Sequence, residues 1–195
     1  MKNSPMPPIN CRPRRRSTAR GFSLLEVMIA LLIVSVGLLG LAGLQALSLK
    51  NNVSASQRTI ATQLAYDMAD RMRANPASVL SGDYNYATYS ATSAAGQTTA
   101  ACLTTTGCSA TQLAQEDLYE WNQQICAQLP QSTTCAVANG PWGVVCLDST
   151  PNDGTPAAPA CDGVSGAPYV IKIWWLEDRN NPALSLKQWV TSFMP

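Results

Sequence analysis

An uncharged, apolar stretch near the N-terminus constrains this chain more than any other feature. It runs from Val27 to Leu49, VMIALLIVSVGLLGLAGLQALSL, and holds 23 residues without a charge. As an α-helix it would span roughly 35 Å, enough to cross the hydrocarbon core of a bilayer. Residues 1–21, which precede it, carry six basic and no acidic side chains. This asymmetry predicts a cytoplasmic N-terminus and export of everything after Lys50.

Charge and composition exclude several functions. Residues 22–195 carry seven basic and twelve acidic side chains, a net charge of −5, which does not favour nucleic acid as a partner. The chain has no histidine, so a Ser-His-Asp or Cys-His catalytic arrangement is impossible. Without histidine or a C-x-x-C motif, a zinc site is disfavoured. We therefore expect no enzyme, no cofactor, no metal and no small-molecule substrate.

Three interpretations of the N-terminus compete. A cleaved signal peptide is disfavoured, because the apolar core is too long and Leu47-Ser48-Leu49 is no cleavage site. A plain membrane anchor is the second. The third rests on Arg20-Gly21-Phe22-Ser23-Leu24-Leu25-Glu26, which closely resembles the leader junction of type IV prepilins and pseudopilins. The resemblance implies that a prepilin peptidase removes residues 1–21 by cutting after Gly21, methylates the new N-terminus at Phe22 and leaves the helix attached.

Glu26 discriminates among these interpretations. A carboxylate at the start of an apolar segment is costly in lipid, which makes it a functional hypothesis. The resemblance implies that it pairs with the N-terminal amine of a neighbouring subunit, so that both charges are neutralised inside the filament. The alternative is a helix-end glutamate near the membrane interface, stabilised by the helix dipole. The basic run, the spacing from Phe22 and the apolar stretch together favour subunit assembly.

The helix is expected to continue beyond the membrane, from about Phe22 to Ala74. After Lys50 an apolar residue recurs every four positions, which indicates an amphipathic helix: Ile60, Leu64, Met68 and Met72. Asp67 and Arg71 have the i, i+4 spacing of an ion pair, and Asn75-Pro76 ends the helix. We expect residues 22–49 to be the transmembrane and filament-core half, and 50–76 to pack on a globular head, 77–195.

Three glycines interrupt the apolar half of the helix: Gly37, Gly40 and Gly43. Each costs roughly 0.5–1 kcal/mol relative to alanine in a helix. They indicate either a softened stretch that unwinds during filament assembly or close helix packing through small residues. Their three-residue spacing differs from the four-residue spacing of GxxxG, and both interpretations stay open.

The head is predicted to combine a helix with an antiparallel sheet. Gln112–Leu129 has helical spacing and ends before Pro130. Strands are predicted at Trp142–Leu147, Tyr169–Leu176 and Leu184–Phe193, with a long loop over Asp148–Pro168. Alternating tyrosines either pack one face of a strand, the favoured interpretation, or line a recognition surface: Tyr84, Tyr86 and Tyr89. The expected fold is α+β and pilin-like, a long N-terminal helix packed on the sheet.

Export explains the cysteines, since disulfides persist outside the cytoplasm. Cys11 lies in the leader, and the other six predict up to three disulfides: Cys102, Cys108, Cys126, Cys135, Cys146 and Cys161. We expect them to pair in sequential order, because each bond then closes a short loop, although sequence alone does not choose the connectivity. In the long loop, three aspartates lack the spacing of an EF-hand, so a solvated loop is favoured over calcium: Asp148, Asp153 and Asp162.

Residues 65–76, AYDMADRMRANP, are similar to minor pilins of the PilV type, also called type IV pilus modification proteins. The resemblance implies a single-pass inner-membrane protein that primes pilus assembly with other minor pilins and the major pilin. It also implies a position at or near the pilus tip on the cell surface, supporting twitching motility and adhesion. One alternative is a minor pseudopilin of a type II secretion system. Another is a membrane-anchored periplasmic binding or enzyme domain, and a DNA-uptake pilin ranks low for an acidic head.

Overall fold

The computed structural model describes residues 21–85, 100–131, 142–178, 181 and 185–194. The chain forms two compact units, Met1–Ser48 and Leu49–Pro195. Helix α1, Leu24–Ala74, contributes residues to both. The basic leader through Arg20, and Cys11 with it, lies outside the described residues.

The described part of the first unit is a single apolar helix. Every side chain from Gly21 to Val53 is exposed, and the helix is long and apolar enough to cross a membrane. It is continuous through Gly37, Gly40 and Gly43, and no packing atom lies within 4 Å of the position a Cβ would take at any of them. The choice between a softened stretch and a packing face at these glycines therefore stays open.

In the second unit, α1 buries one stripe of side chains, as its four-residue periodicity predicts. The stripe consists of Ala61, Leu64, Ala65, Met68, Ala69 and Met72. Ile60 is only partly buried at its edge. The predicted end at Ala74 is confirmed. Pro76 then opens a short second helix, α2 (Pro76–Ser81), at the first helical position, where a missing N–H is tolerated.

Helix α3, Ala110–Gln128, begins two residues before the predicted position. The Ser109 side chain accepts a hydrogen bond from the Gln112 N–H, and the Gln112 side chain returns one to the Ser109 N–H. This capping box fixes the start of the helix, because it satisfies N–H groups that have no partner within the helix. Among its apolar residues, Leu118, Trp121 and Ile125 are buried, whereas Leu113 stays exposed.

Three antiparallel strands form the sheet in the order β1-β2-β3, which confirms the predicted fold class. Their bounds are Gly143–Leu147, Tyr169–Leu176 and Leu186–Phe193. The register pairs Gly143 with Ile173 in one ladder and Tyr169 with Phe193 in the other. Leu184, the first residue of the predicted third strand, lies outside the described residues.

Every residue of β2 is buried, so both faces of the central strand are covered. One face packs on the helices, where Gly143 of β1 lies against Trp121 and Ile125 of α3. The Trp121 indole N–H in turn donates to the Leu64 carbonyl of α1 at 2.8 Å. A Cβ at Gly143 would collide with the Trp121 ring and with Ile125, so β1 approaches α3 as closely as it does only because this residue is glycine. The segment after β1 covers the opposite face, where Lys172 lies.

The strand interpretation of the tyrosines is wrong for Tyr84. This residue follows α2 in a turn and belongs to no strand, yet it is fully buried. It is buried because it packs between the helices, where its hydroxyl has a hydrogen-bond partner. Tyr86 and Tyr89 lie outside the described residues.

Candidate functional site

The predicted cleavage junction lies just before the first helix. Gly21, Phe22 and Ser23 have no regular secondary structure and are exposed. The Ser23 carbonyl accepts hydrogen bonds from the N–H groups of Glu26, at 3.0 Å, and Val27, at 3.2 Å, and so opens the first helical turn. The Gly21–Phe22 peptide bond therefore lies in exposed backbone without regular secondary structure, the kind of segment that peptidases reach.

Glu26 lies in the first turn of α1, four residues after Phe22. Its carboxylate is exposed and is the one charged side chain between Gly21 and Leu49. The unpaired N–H groups of a helix N-terminus favour a negative charge at this position. The helix itself thus stabilises the carboxylate that the sequence singled out, and Glu26 lies beside the junction.

A long exposed apolar surface follows Glu26. Met28 and Leu39 are 63% and 74% exposed, and the large apolar side chains between them are also exposed. Ser35, a polar residue in this stretch, donates its hydroxyl to the Leu32 carbonyl at 2.8 Å and needs no outside partner. A contiguous exposed apolar surface of this size marks a protein or membrane interaction site.

Disulfides fasten the irregular parts of the second unit. Cys102 is bonded to Cys108 ahead of α3, and Cys146 of β1 is bonded to Cys161. These are the first and third pairs of the sequential order. Cys126 is also disulfide-bonded, while Cys135 lies outside the described residues.

Arg71 connects α1 to α3. The predicted i, i+4 pair is confirmed, with Arg71 Nε 3.0 Å from Asp67 Oδ2. The guanidinium also reaches Asp117 at 3.2 Å and Glu120 at 2.9 Å, both on α3. Local spacing could find the first contact but not the other two, because they join residues 46 and 49 positions apart.

A buried hydrogen-bond network adjoins Arg71. The Tyr84 hydroxyl donates to Asp117 Oδ2 at 2.6 Å, and the Asn75 side-chain amide donates to the Ala110 carbonyl at 2.8 Å. Burial, followed by the hydrogen bond to Asp117, raises the pKa of Tyr84 above its ordinary value of 10.0, so the phenol stays a donor. Asn75 therefore both precedes the helix-ending proline and helps hold α3.

Lys172 forms a second charged cluster that the sequence analysis missed. Its side chain and that of Asp148 are both fully buried, with Nζ 2.6 Å from Asp148 Oδ2. Nζ also lies 2.8 Å from Asp153 Oδ1 and 2.9 Å from the Pro159 carbonyl. The expectation of a solvated loop is wrong for Asp148, because the ammonium in the middle of β2 draws the loop onto the sheet. A charge in a strand covered on both faces requires a partner, and that was the available signal.

The other loop aspartates are closer to the surface. Hydrogen bonding from Lys172 lowers the pKa of Asp153, and hydrogen bonding from the Ser149 hydroxyl lowers the pKa of Asp162. Asp162 also accepts from the Val164 N–H at 3.1 Å. Across the ranges that the structure describes, no group of three or more histidines, cysteines or acids is arranged to hold a metal.

Two family models match adjacent parts of the chain. Residues 16–42 match the prokaryotic N-terminal methylation motif, and residues 43–119 match the model described as type IV pilin Tt1218. The first match contains Gly21, Phe22 and Glu26. The second runs from the middle of α1 into α3 and ends before the sheet. The chain matched no curated protein and no solved structure.

Proposed function

Since a prokaryotic N-terminal methylation motif is joined here to a type IV pilin domain, we propose that this structural subunit is a minor pilin. It primes type IV pilus assembly with other minor pilins and the major pilin, and it lies at or near the tip. The observation that carries the proposal is the junction at Gly21-Phe22, which is exposed and lies directly before a helix whose apolar first half is exposed throughout.

Maturation is the first step of the proposal. A prepilin peptidase cuts after Gly21 on the cytoplasmic side and methylates the amine of Phe22. The cut removes the six basic residues of the leader and leaves 174 residues of net charge −5. The basic leader orients the chain in the inner membrane before it is lost.

Assembly is the second step. The apolar half of α1 leaves the inner membrane and packs among the same helices of neighbouring subunits, which covers its exposed side chains. Glu26 pairs with the N-terminal amine of a neighbour. In a low-dielectric filament core each charge alone would be poorly solvated, so this pairing fixes the axial register of the subunits.

The head supplies the third part of the proposal. The segment 65–76, similar to PilV-type minor pilins, contains Arg71 and Asn75, which hold α3 against α1. Disulfides at Cys102–Cys108 and Cys146–Cys161 fasten its loops. A fastened head on an assembling helix suits a low-abundance subunit that presents a partner surface at the tip and supports twitching motility and adhesion.

Mass spectrometry of the mature N-terminus tests maturation. We expect a chain that begins at a methylated Phe22. In Gly21→Arg the bulky side chain blocks the peptidase, so the leader stays attached and Phe22 is not methylated. Gly21→Ala, which changes the side chain least, is the matched control and should be processed. Complete processing of Gly21→Arg would contradict a prepilin and favour a plain membrane anchor.

Deletion of the gene separates the minor pilin from the runner-up pseudopilin. We expect loss of surface pili and twitching motility with exoprotein secretion intact, whereas loss of secretion alone would assign the chain to a type II secretion system. Complementation with Glu26→Gln keeps the size of the side chain and removes its charge. We expect this variant to be processed normally but not to enter pili, and normal entry would overturn the role of Glu26.

A further inference from the structure

The residues paired with Lys172 and those two positions away along β2, on the same face of the sheet, are apolar. Its cross-strand neighbours are Val144 on β1 and Val190 on β3. Val170 and Trp174, two positions away along β2, point to the same side. Lys172 and Asp148 are fully buried, whereas the Asp153 side chain is 45% exposed. An amine and a carboxyl group therefore meet in a dry site that opens to water at one side, through Asp153.

The two carboxyl oxygens of Asp148 have different contacts. Oδ1 accepts a hydrogen bond from the Thr150 N–H at 2.9 Å. Oδ2 lies 2.6 Å from Lys172 Nζ, yet it accepts no hydrogen bond. The amine nitrogen thus touches the carboxyl group without the alignment of a donor and an acceptor. Oδ1 is therefore held by the Thr150 N–H, and the nearest charged atom to Oδ2 is Lys172 Nζ.

Asp153 completes the arrangement. Its Oδ1 accepts a hydrogen bond from Lys172 Nζ at 2.8 Å, and its Oδ2 accepts one from the Thr150 hydroxyl at 3.1 Å. The hydrogen bond from Lys172 lowers the pKa of Asp153, so this carboxylate is ionised, and its position places it as the acceptor nearest to the ammonium on the exposed side. A nucleophile, a carboxyl carbon, a backbone N–H at one carboxyl oxygen and a base are therefore within reach of one another.

We propose that Lys172 and Asp148 join in an intramolecular isopeptide bond, an amide between Nζ and the side-chain carboxyl carbon. Asp153 takes a proton from the ammonium and passes it to Asp148 Oδ2, so a neutral amine faces a neutral acid. The nitrogen lone pair forms the Nζ–Cγ bond, and the Thr150 N–H stabilises the charge that develops on Oδ1.

The second proton of the amine reaches Oδ2 by the same route, the Cγ–Oδ2 bond breaks, and water leaves past the exposed side of Asp153. Of the three ammonium protons, one stays on the amide and two depart in the water, so no oxidant, reductant or further reactant is needed. The bond joins the residue after β1 to the middle of β2, beside Cys146–Cys161. Unlike that disulfide, it survives reduction.

Intact mass spectrometry of the full-length chain, extracted in detergent, reduced and denatured, tests the proposal. We expect wild type to be about 18 Da lighter, the mass of one water, than the mass calculated for its sequence with the N-terminus and the N-terminal methylation that are found. Trypsin should fail to cleave after Lys172, and tandem spectra should join Lys172 to Asp148. A wild-type mass without this deficit overturns the proposal.

The control variant is Lys172→Arg, which keeps a cation at the site but cannot form the amide. The deficit should disappear in it. Asp153-Gly154 and Asp162-Gly163 can also lose water by closing a succinimide. A deficit that persists in Lys172→Arg therefore contradicts the cross-link. Asp153→Asn keeps both joined groups but removes the base, so we expect a mixture of linked and unlinked chains, and complete linkage would exclude the role of Asp153.

Discussion

The two halves of α1 belong to one uninterrupted helix, yet their side chains have opposite surroundings. From Leu24 to Ser48 every side chain is exposed. From Leu49 to Ala74 one stripe is buried, with Ala61, Met68 and Met72 fully covered. Both halves are helical, so helix propensity does not distinguish them. The pattern does: the first half is apolar on all sides and has no polar face, whereas the second alternates apolar and polar residues with helical periodicity.

The comparison shows what each half is built to contact. A single apolar stripe can be buried within one chain, because the sheet and α3 cover it. A helix that is apolar all round needs lipid or other apolar helices on every side. The same residue types therefore stabilise the folded head in one half and serve membrane insertion or subunit contacts in the other.

Truncating one apolar side chain in each half sharpens this comparison most. Met68 is fully buried, so Met68→Ala should lower the free energy of unfolding of the head by about 2–5 kcal/mol. Leu39 is 74% exposed, so Leu39→Ala should change it by less than about 0.5 kcal/mol. Tryptophan fluorescence during urea unfolding in detergent measures both. Equal losses would mean that the head depends on packing of the apolar half.

The helices and strands of the head could be predicted from the sequence wherever its apolar residues form a regular pattern. The YVIKIWWL strand was predicted to the residue, because an apolar run rich in β-branched and aromatic side chains leaves little choice. The end of α1 was predicted because proline forbids its continuation. At Gly21, Phe22 and Glu26 the residues were found by resemblance, and the structure adds that they are exposed and adjacent to the helix start.

The contacts that the sequence did not reveal join residues far apart in the chain. Tyr84 was assigned to a strand, although its partner Asp117 is 33 residues away on α3. Lys172 was counted within an apolar strand, and Asp148 within a solvated loop, although the two form a buried ion pair. Hydrophobic periodicity records which face is buried, but not which polar groups meet there.

The next largest difference is expected from replacing one glycine in each unit by alanine, which should destabilise one unit and stabilise the other. A Cβ at Gly143 would collide with Trp121 and Ile125, so Gly143→Ala should destabilise the head by about 1–3 kcal/mol. At Gly40 no packing atom lies near the Cβ position, so Gly40→Ala should strengthen the helix by about 0.5–1 kcal/mol.

Urea unfolding measures the Gly143 variant, and slower amide hydrogen exchange around residue 40 measures the other. A Gly143→Ala head of unchanged stability would mean that α3 moves away at little cost. Unchanged exchange in Gly40→Ala would argue that the apolar half is already held by its surroundings.

The smallest expected difference between the two units is in how their stability responds to acid. A hydrogen bond from Ser54 and the nearby Lys187 lower the pKa of Glu177 below its ordinary value of 4.5. Because the folded pKa is the lower one, this stabilisation is present above about pH 4.5 and is lost as the pH falls through the folded value. The pKa of Asp162, which accepts a hydrogen bond from the Ser149 hydroxyl, is lowered in the same way. The urea midpoint of the head should therefore fall between pH 7 and pH 3, while helicity of the apolar half, where Glu26 is the one carboxylate, stays constant.

In Ser54→Ala the main cause of the lowered Glu177 pKa is gone, so the fall of the urea midpoint should be shallower. An equally steep fall would assign the acid sensitivity to the loop aspartates instead.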